Sequence, residues 1–403
     1  MSHINTQETL LELVTRGVES VYPSKDALLE RLSLNEPTSW YLGIDPTGPS
    51  IHVGHSIVLK KLRDFQRLGH KIILLIGDFT AMIGDPTDKS AARKRLTREE
   101  VLQNAKSYKE QASLFLKFDG ENPAEIRYNS EWLATMSFAD VVELSSHFTV
   151  QRLLERDMFD KRVKEGKPVY LHEFLYPLMQ AYDSVALDID GEMGGNDQTY
   201  NMLAGRTLMK ELKQKNKFVI TTKLLADQTG KKMGKSEGNM ITLQDSPSEM
   251  YGKIMSWTDG MILSGFELLT DVSSKEIQNI QQELENGLNP RDAKDRLAQE
   301  VVAFYYNAEA AKEAAVDFKA IFQAKETPEE MKSFKVGEVN VVDALLIAGL
   351  APSKGEARRL IDGGGVRIDG EVIKDGQTMI EHKKDGIVLQ KGKRHFVRLF
   401  SDV

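Results

Sequence analysis

Trp40–Ile76 reads WYLGIDPTGPSIHVGHSIVLKKLRDFQRLGHKIILLI, and the fold class rests on this stretch. Trp40–Ile44 has the apolar run of a strand, His55–Leu68 reads as a helix that Gly69 stops, and Lys71–Ile76 is a second apolar run. Strand, turn, helix and strand in under forty residues make a βαβ unit, and such units build parallel sheets with helices on their faces. Val185–Ile189 and Phe218–Thr222 read as further strands, which predicts an α/β sheet with its chemistry at the carboxyl ends of the strands. Upstream, Leu10, Leu11, Val14, Val18 and Val21 recur at helical intervals and predict a helix over Asn5–Val21.

Downstream of Leu225 the character changes. Asp227–Asn239 (DQTGKKMGKSEGN) is a polar loop rich in lysine and glycine, and Ser246–Ala324 reads as mostly helical. Ile277, Ile280 and Leu284 lie at helical spacing there, with further helices around Arg291–Tyr305 and Glu309–Ile321. Glu326–Val336 reads as a linker before a last unit, Gly337–Val403. The expected division is therefore 1–225, 226–330 and 337–403, three units in 403 residues.

Hydrophobic residues at 41% and charged residues at 28% are a globular balance and exclude a disordered or fibrous chain. The absence of cysteine excludes disulfides, thiolate metal sites, iron–sulfur clusters and a cysteine nucleophile. Apolar runs such as Ile72–Ile76 and Val301–Tyr306 fall far short of the ~20 residues a bilayer span requires. Met1–Leu10 has no basic segment followed by an apolar one, so a cytoplasmic protein without a membrane partner is expected. A net charge of -7 argues against a protein that coats nucleic acid unspecifically, but local RNA contacts depend on where charge sits. Residues 338–403 carry net +1 and leave -8 on residues 1–337. Within that tail Lys354, Arg358 and Arg359 cluster at helical spacing, followed by Lys391, Lys393, Arg394 and Arg398.

Two segments carry phosphate chemistry. After the first strand, Asp45-Pro46-Thr47-Gly48-Pro49-Ser50-Ile51-His52-Val53-Gly54-His55 sets two histidines around Val-Gly at a helix start. A helix N-terminus offers free N–H groups and the positive end of a dipole. Gly54 lets a flat base or a phosphate approach the backbone, and His52, His55 and Thr47 add donors. Taken alone, the same turn reads more readily as a capped helix start with two surface histidines. The second segment, Lys231-Lys232-Met233-Gly234-Lys235-Ser236, is not a P-loop, because Gly230 and Gly234 enclose three residues where that motif needs four. What remains is either a basic clamp for polyphosphate or a solvated linker.

Together, an H-x-G-H turn on the first βαβ unit and a K-M-x-K-S-type loop after the nucleotide fold resemble the class I aminoacyl-tRNA synthetases. Tyr41-Leu-Gly-Ile-Asp45-Pro-Thr47, Ile83-Gly84-Asp85-Pro86, Gln180-Ala-Tyr-Asp183 and Gly194-Gly195-Asn196-Asp197-Gln198 resemble the bacterial tyrosyl-tRNA synthetases in particular. That family implies a Rossmann-like parallel-sheet nucleotide-binding domain, then a helical domain. Tyr176, Gln180 and Asp183, spaced by four and three, share one helix face by geometry alone and suit a small polar ligand. The resemblance implies that Tyr41 and Asp183 meet the substrate phenol while Asp85, Tyr176 and Gln180 hold its ammonium group. It implies ATP contacts from Asp45, Gly54, His55, Gly195, Asp197 and Lys235, with Gln198 near the amino-acid carboxylate. It implies phosphate work by Thr47, His52, Lys89, Arg93, Lys232 and Lys235. Gly234 stands where many class I enzymes have Ser, and Asn196 where Ser or Thr is usual, and neither change removes a charged group.

The tail has a resemblance of its own. Val341-Val-Asp-Ala-Leu-Leu, Ser353-Lys354, Ala357-Arg358-Arg359-Leu-Ile, Gly364-Gly365-Val366 and Gly370-Glu-Val resemble the small α+β RNA-binding domain shared with ribosomal small-subunit protein four. The expected activity is ATP-dependent ligation of L-tyrosine to tRNA(Tyr), with Mg2+ carried on the nucleotide and no protein-bound metal. Lys354, Arg358, Arg359 and, from the helical domain, Asp259 are the expected tRNA contacts, and the family implies a homodimer, for which the apolar Phe138–Leu154 stretch is a candidate face. The rival readings are a tryptophan-specific relative and a non-catalytic RNA-binding paralogue. Tyr41 paired with Asp183 favours a phenol over an indole, since an O–H both donates and accepts.

Overall fold

The structure is a computed structural model that describes residues 7–51, 53–86, 96–226, 241–323, 331–337, 339–380, 383, 386–392 and 395–401. Strands β2 (Ser39–Ile44) and β3 (Lys71–Ile76) pair in parallel, Trp40 opposite Ile72 and Ile44 opposite Ile76, joined by the Val53–Arg67 helix. Beyond β3 lies β4 (Glu125–Tyr128), and on the other side of β2 lie β5 (Gly191–Gly195), β6 (Phe218–Thr222) and β1 (Val18–Tyr22). The order is β1-β6-β5-β2-β3-β4, with β1 alone antiparallel. The chain runs outward from β2 to β4 and then returns to β5, so the strand order reverses beside β2. Ligand crevices in open α/β sheets open at such a reversal.

The centre of this sheet is a packing problem solved by one glycine. Trp40 is fully buried, edge-on to Phe65 with centroids 4.7 Å apart and stacked on Phe218 at 6.4 Å. A Cβ on Gly191 of the neighbouring strand would come within 2.2 Å of the indole, so only glycine fits there. The Val53–Arg67 helix is buried on nearly all sides, and its cations find partners rather than water. Lys61 Nζ donates to the Leu13 carbonyl at 2.7 Å, and Arg63 forms a two-pronged pair with Asp271 at 2.7 and 3.0 Å.

Three expectations change. The N-terminal helix spans only Gln7–Leu13, because Gly17 turns the chain with a positive φ and Val18–Tyr22 leaves as a strand paired to β6. Val185–Ile189 is not a strand. Val185–Leu187 finishes the Leu171–Leu187 helix, Asp188 ends it in the left-handed conformation, and the strand is Gly191–Gly195. Part of the Glu326–Val336 linker is the strand β7 (Lys332–Val336), pairing in parallel with β11 (His395–Ser401).

The chain divides into two compact units, Met1–Asp245 with Trp257–Tyr305, and Ser246–Ser256 with Tyr306–Val403. In the second, the Pro247–Met255 and Ala308–Gln323 helices pack through Tyr251 and Phe318, 5.3 Å between rings. It also holds a five-stranded sheet, β7-β11-β10-β8-β9, with β8 (Val366–Ile368), β9 (Glu371–Val372) and β10 (Ile387–Lys391). The Val341–Ile347 and Lys354–Asp362 helices, capped by the side chains of Asn340 and Ser353, bury Val342, Leu345, Ala357 and Ile361 against it. No helix among the described residues is long and apolar enough to cross a membrane.

Candidate active site

The carboxyl ends of β2, β3 and β5 converge with the Leu171–Leu187 helix. That helix carries Tyr176, Gln180 and Asp183, and each engages a different strand end or loop.

Asp45 follows β2. Its Oδ1 accepts from Thr80 Oγ1 at 2.7 Å and its Oδ2 from the Tyr176 hydroxyl at 2.9 Å. Desolvation pushes its pKa up to about 7, against the pull of those two donors. The loop must approach closely for this, since a Cβ on Gly77 would sit 2.0 Å from Asp45 Oδ1. Asn129 extends the chain of contacts, donating to Thr80 Oγ1 at 3.0 Å and to Asp183 Oδ2 at 3.4 Å.

Asp183 is buried, and its other oxygen accepts from Trp132 Nε1 at 2.8 Å. Burial holds its pKa well above the ordinary carboxylate range, while the indole and amide donors oppose that shift. The fully buried Tyr41 hydroxyl meets Ser184 Oγ at 3.0 Å. Gln180 Nε2 donates to Glu192 Oε1 at 3.1 Å, and Glu192 is paired with the buried Lys217. Gln198 Nε2 donates to Asp85 Oδ2 at 2.6 Å and accepts from Asn201 at 2.9 Å. Carboxylates and neutral donors thus gather at the end of the sheet where the strand order reverses.

The residues expected to serve the nucleotide lie around the ends of β2 and β5. Gly195 closes β5, and a Cβ there would come within 2.6 Å of the exposed Asp197 carboxylate. Gly54 and His55 lie half-buried in the first turn of the Val53–Arg67 helix, and the Thr47 side chain is exposed. The turn before that helix is tied down by its carbonyls: Tyr108 Oη donates to Gly48 O at 2.7 Å, Ser107 Oγ to Pro49 O at 2.8 Å and Asn104 Nδ2 to Pro46 O at 3.0 Å. His52, Lys89, Arg93, Lys232 and Lys235 lie outside the described residues.

The expected tRNA contacts are elsewhere in the chain. Asp259 pairs with Lys294 at 2.8 Å, Lys354 with Asp343 at 2.8 Å and Arg359 with Glu356 at 3.2 Å, while Arg358 is exposed. Several crevice residues have no short-range signal in the sequence: Trp132 and Asn129, which hold Asp183, and Ser184, Glu192 and Lys217 beneath Tyr41. Arg156 is another. Its buried guanidinium lies 4.6 Å above the Tyr200 ring, and its Nη1 finds no hydrogen-bond partner among the described residues.

Residues 33–323 match the family described as tRNA synthetases class I (W and Y), and residues 341–385 match the S4 domain. The chain belongs to this class I family. A tyrosine–tRNA ligase of Moorella thermoacetica is 48% identical over 396 residues, 96% of this chain and 95% of that protein. One from Thermotoga maritima is 46% identical, covering 98% of both chains. Within the class, the chain is a member of the tyrosine–tRNA ligases. Among solved structures, a C-terminally truncated mitochondrial tyrosyl-tRNA synthetase of Coccidioides posadasii is 25% identical with a TM-score of 0.62, over 77% of this chain and 91% of that one. The Archaeoglobus fulgidus tyrosyl-tRNA synthetase complexed with L-tyrosine has the same fold, with a TM-score of 0.60 at 24% identity over 77% of this chain and all of that one.

Proposed function

We propose that the chain activates L-tyrosine with ATP and transfers it to tRNA(Tyr), and that the crevice between Tyr41 and Asp183 holds the substrate side chain. The observation that carries this reading is the setting of Asp183. A buried carboxylate, oriented by Trp132 and Asn129, has lone pairs to offer a proton donor on the ligand. A phenol supplies that proton and also accepts from Tyr41. An indole has no oxygen to accept, which disfavours the tryptophan reading.

The substrate ammonium group is held by Asp85, Tyr176 and Gln180, and its carboxylate lies near Gln198. The carboxylate oxygen attacks the α-phosphorus of ATP, pyrophosphate leaves, and tyrosyl-adenylate results. The hydroxyl of the terminal tRNA ribose then attacks the carbonyl carbon and AMP departs. No protein nucleophile takes part. Catalysis is placement together with stabilisation of charge on the transferring and departing phosphates. Gly54, His55 and Asp45 serve the nucleotide from the carboxyl end of β2 and the helix start after it, and Gly195 and Asp197 from β5. Thr47, His52, Lys89, Arg93, Lys232 and Lys235 stabilise the phosphates, and Mg2+ arrives on the nucleotide.

The unit beginning near Gly337 serves as the RNA-binding arm, with Lys354, Arg358 and Arg359 facing phosphate, and Asp259 contacts the anticodon. Homodimerisation fits the apolar face around Phe138, which is 84% exposed, and Val150, 61% exposed. The proposed location is the cytoplasm. Single-turnover experiments test the reading. Mixing chain, ATP and radiolabelled tyrosine should yield bound adenylate that discharges on addition of tRNA(Tyr). A chain that binds the tRNA but forms no adenylate would support the non-catalytic alternative instead.

A further inference from the structure

Beneath the crevice lies a closed polar layer that the reaction itself does not call for. Lys217, immediately before β6, is fully buried, paired with Glu192 on β5, and its Nζ donates to Ser184 Oγ at 2.8 Å. Ser184 Oγ in turn lies 3.0 Å from the Tyr41 hydroxyl, and the Lys217 ammonium sits 5.8 Å over the Tyr41 ring. Room for this contact is made by Gly205, where a Cβ would stand 2.6 Å from Lys217 Nζ and 2.8 Å from Ser184 Oγ. A buried ion pair is at best weak evidence for stability, so its presence below a specificity pocket calls for another account.

We propose that Lys217, Ser184 and Glu192 are positioning residues that fix the direction of the Tyr41 hydroxyl, and so set the choice of tyrosine over phenylalanine. This rests on the tyrosine reading of the crevice and deepens it. An ammonium group only donates, so Ser184 Oγ accepts from Lys217 and must give its own proton elsewhere. The other oxygen within reach is that of Tyr41. With that oxygen accepting from Ser184, the Tyr41 proton points onward. Glu192 is an acceptor within reach of that proton, since a carboxylate held by Lys217 and Gln180 still has lone pairs to offer. When a phenol is bound, its oxygen takes the Tyr41 proton in place of Glu192, and its own proton goes to Asp183. The order runs from Lys217 through Ser184 and Tyr41 to the ligand and then Asp183. Reversed, Tyr41 would face the ligand as an acceptor beside a carboxylate acceptor, and one phenol proton cannot serve both. Phenylalanine breaks the chain and leaves Asp183 without that proton.

The test is a double-mutant cycle on the full-length chain, read as the ratio of kcat/KM for tyrosine to that for phenylalanine in ATP–pyrophosphate exchange. Ser184→Ala should lower this ratio about ten-fold, the worth of one ordered buried hydrogen bond, chiefly through the tyrosine KM. Tyr41→Phe should lower it further, and the double variant should match Tyr41→Phe alone, because Ser184 acts only through that hydroxyl. A merely structural serine would weaken both amino acids together and leave the ratio unmoved. An unchanged ratio in Ser184→Ala, or losses that add in full, would overturn the relay while leaving the tyrosine reading intact. Absence of tyrosine-dependent exchange in the unaltered chain would overturn both.

Discussion

Trp132→Phe removes the indole N–H that Asp183 Oδ1 accepts at 2.8 Å and leaves the aromatic ring nearly in place. Burial already holds the Asp183 pKa well above its ordinary range, and the indole is the first of the donors that restrain it. Without that donor the pKa rises further, so at a given pH less of Asp183 is the carboxylate that accepts the phenol proton. A hydrogen bond to a buried charge is worth roughly 1.5–3 kcal/mol, which predicts a rise of about ten- to a hundred-fold in the tyrosine KM. The sign with pH follows: the loss should be greatest at low pH and shrink as pH rises and the carboxylate form returns. Tyrosine-dependent pyrophosphate exchange between pH 6 and 9, at saturating ATP, supplies the profile. Phenylalanine is the internal control, since a cavity left by the smaller ring would penalise both amino acids alike. A tyrosine KM that rises by one factor at every pH, and equally for phenylalanine, would refute the argument.

Lys235→Ala should lower kcat for activation by the equivalent of about 2–4 kcal/mol while barely changing tyrosine affinity, because a pyrophosphate clamp acts mainly in the transition state; stopped-flow adenylate formation at the normal rate would return that loop to a solvated linker. Charge reversal of both Arg358 and Arg359 to Glu should leave pyrophosphate exchange intact, weaken tRNA(Tyr) binding and flatten its dependence on salt, as filter binding at several salt concentrations would reveal. His70 is held neutral, its pKa pulled down to about 4 by burial while its Nδ1 accepts from the Thr38 amide at 3.1 Å. The unfolded chain then binds the extra proton as pH falls from about 6.5 to 4, and the native state loses on the order of 3 kcal/mol over that window. His70→Asn, which cannot titrate, should lose less stability than the parent chain in urea unfolding at pH 7 and 4.5, and parallel losses would contradict this.

The first βαβ unit was legible because Trp40–Ile44 and Lys71–Ile76 are rich in strand formers and Gly69 marks the helix end. The strand beside it was not. Gly191-Glu192-Met193-Gly194-Gly195 has no β-branched residue, since Trp40 leaves no space for a side chain at Gly191. The apolar Val185–Leu187 drew the strand assignment to the end of a helix instead. In the site, Tyr176, Gln180 and Asp183 announce themselves by helical spacing, which is local. The groups that hold them are joined only by folding. Trp132 is fifty-one residues from Asp183, and Lys217 is thirty-three from Ser184 and twenty-five from Glu192. A buried lysine looks like any surface lysine until the chain around it closes.

That this crevice selects and activates tyrosine is tested most directly by ATP–pyrophosphate exchange with the full-length chain, measured with each of the twenty amino acids in turn. Tyrosine alone should drive rapid exchange at micromolar concentration, with phenylalanine lower in kcat/KM by several orders of magnitude and tryptophan without effect. Tyrosyl-tRNA synthetases as a class disfavour phenylalanine by ~10⁵. Exchange driven by tryptophan, or by phenylalanine as well as by tyrosine, would contradict the assignment of Tyr41 and Asp183 to a substrate phenol.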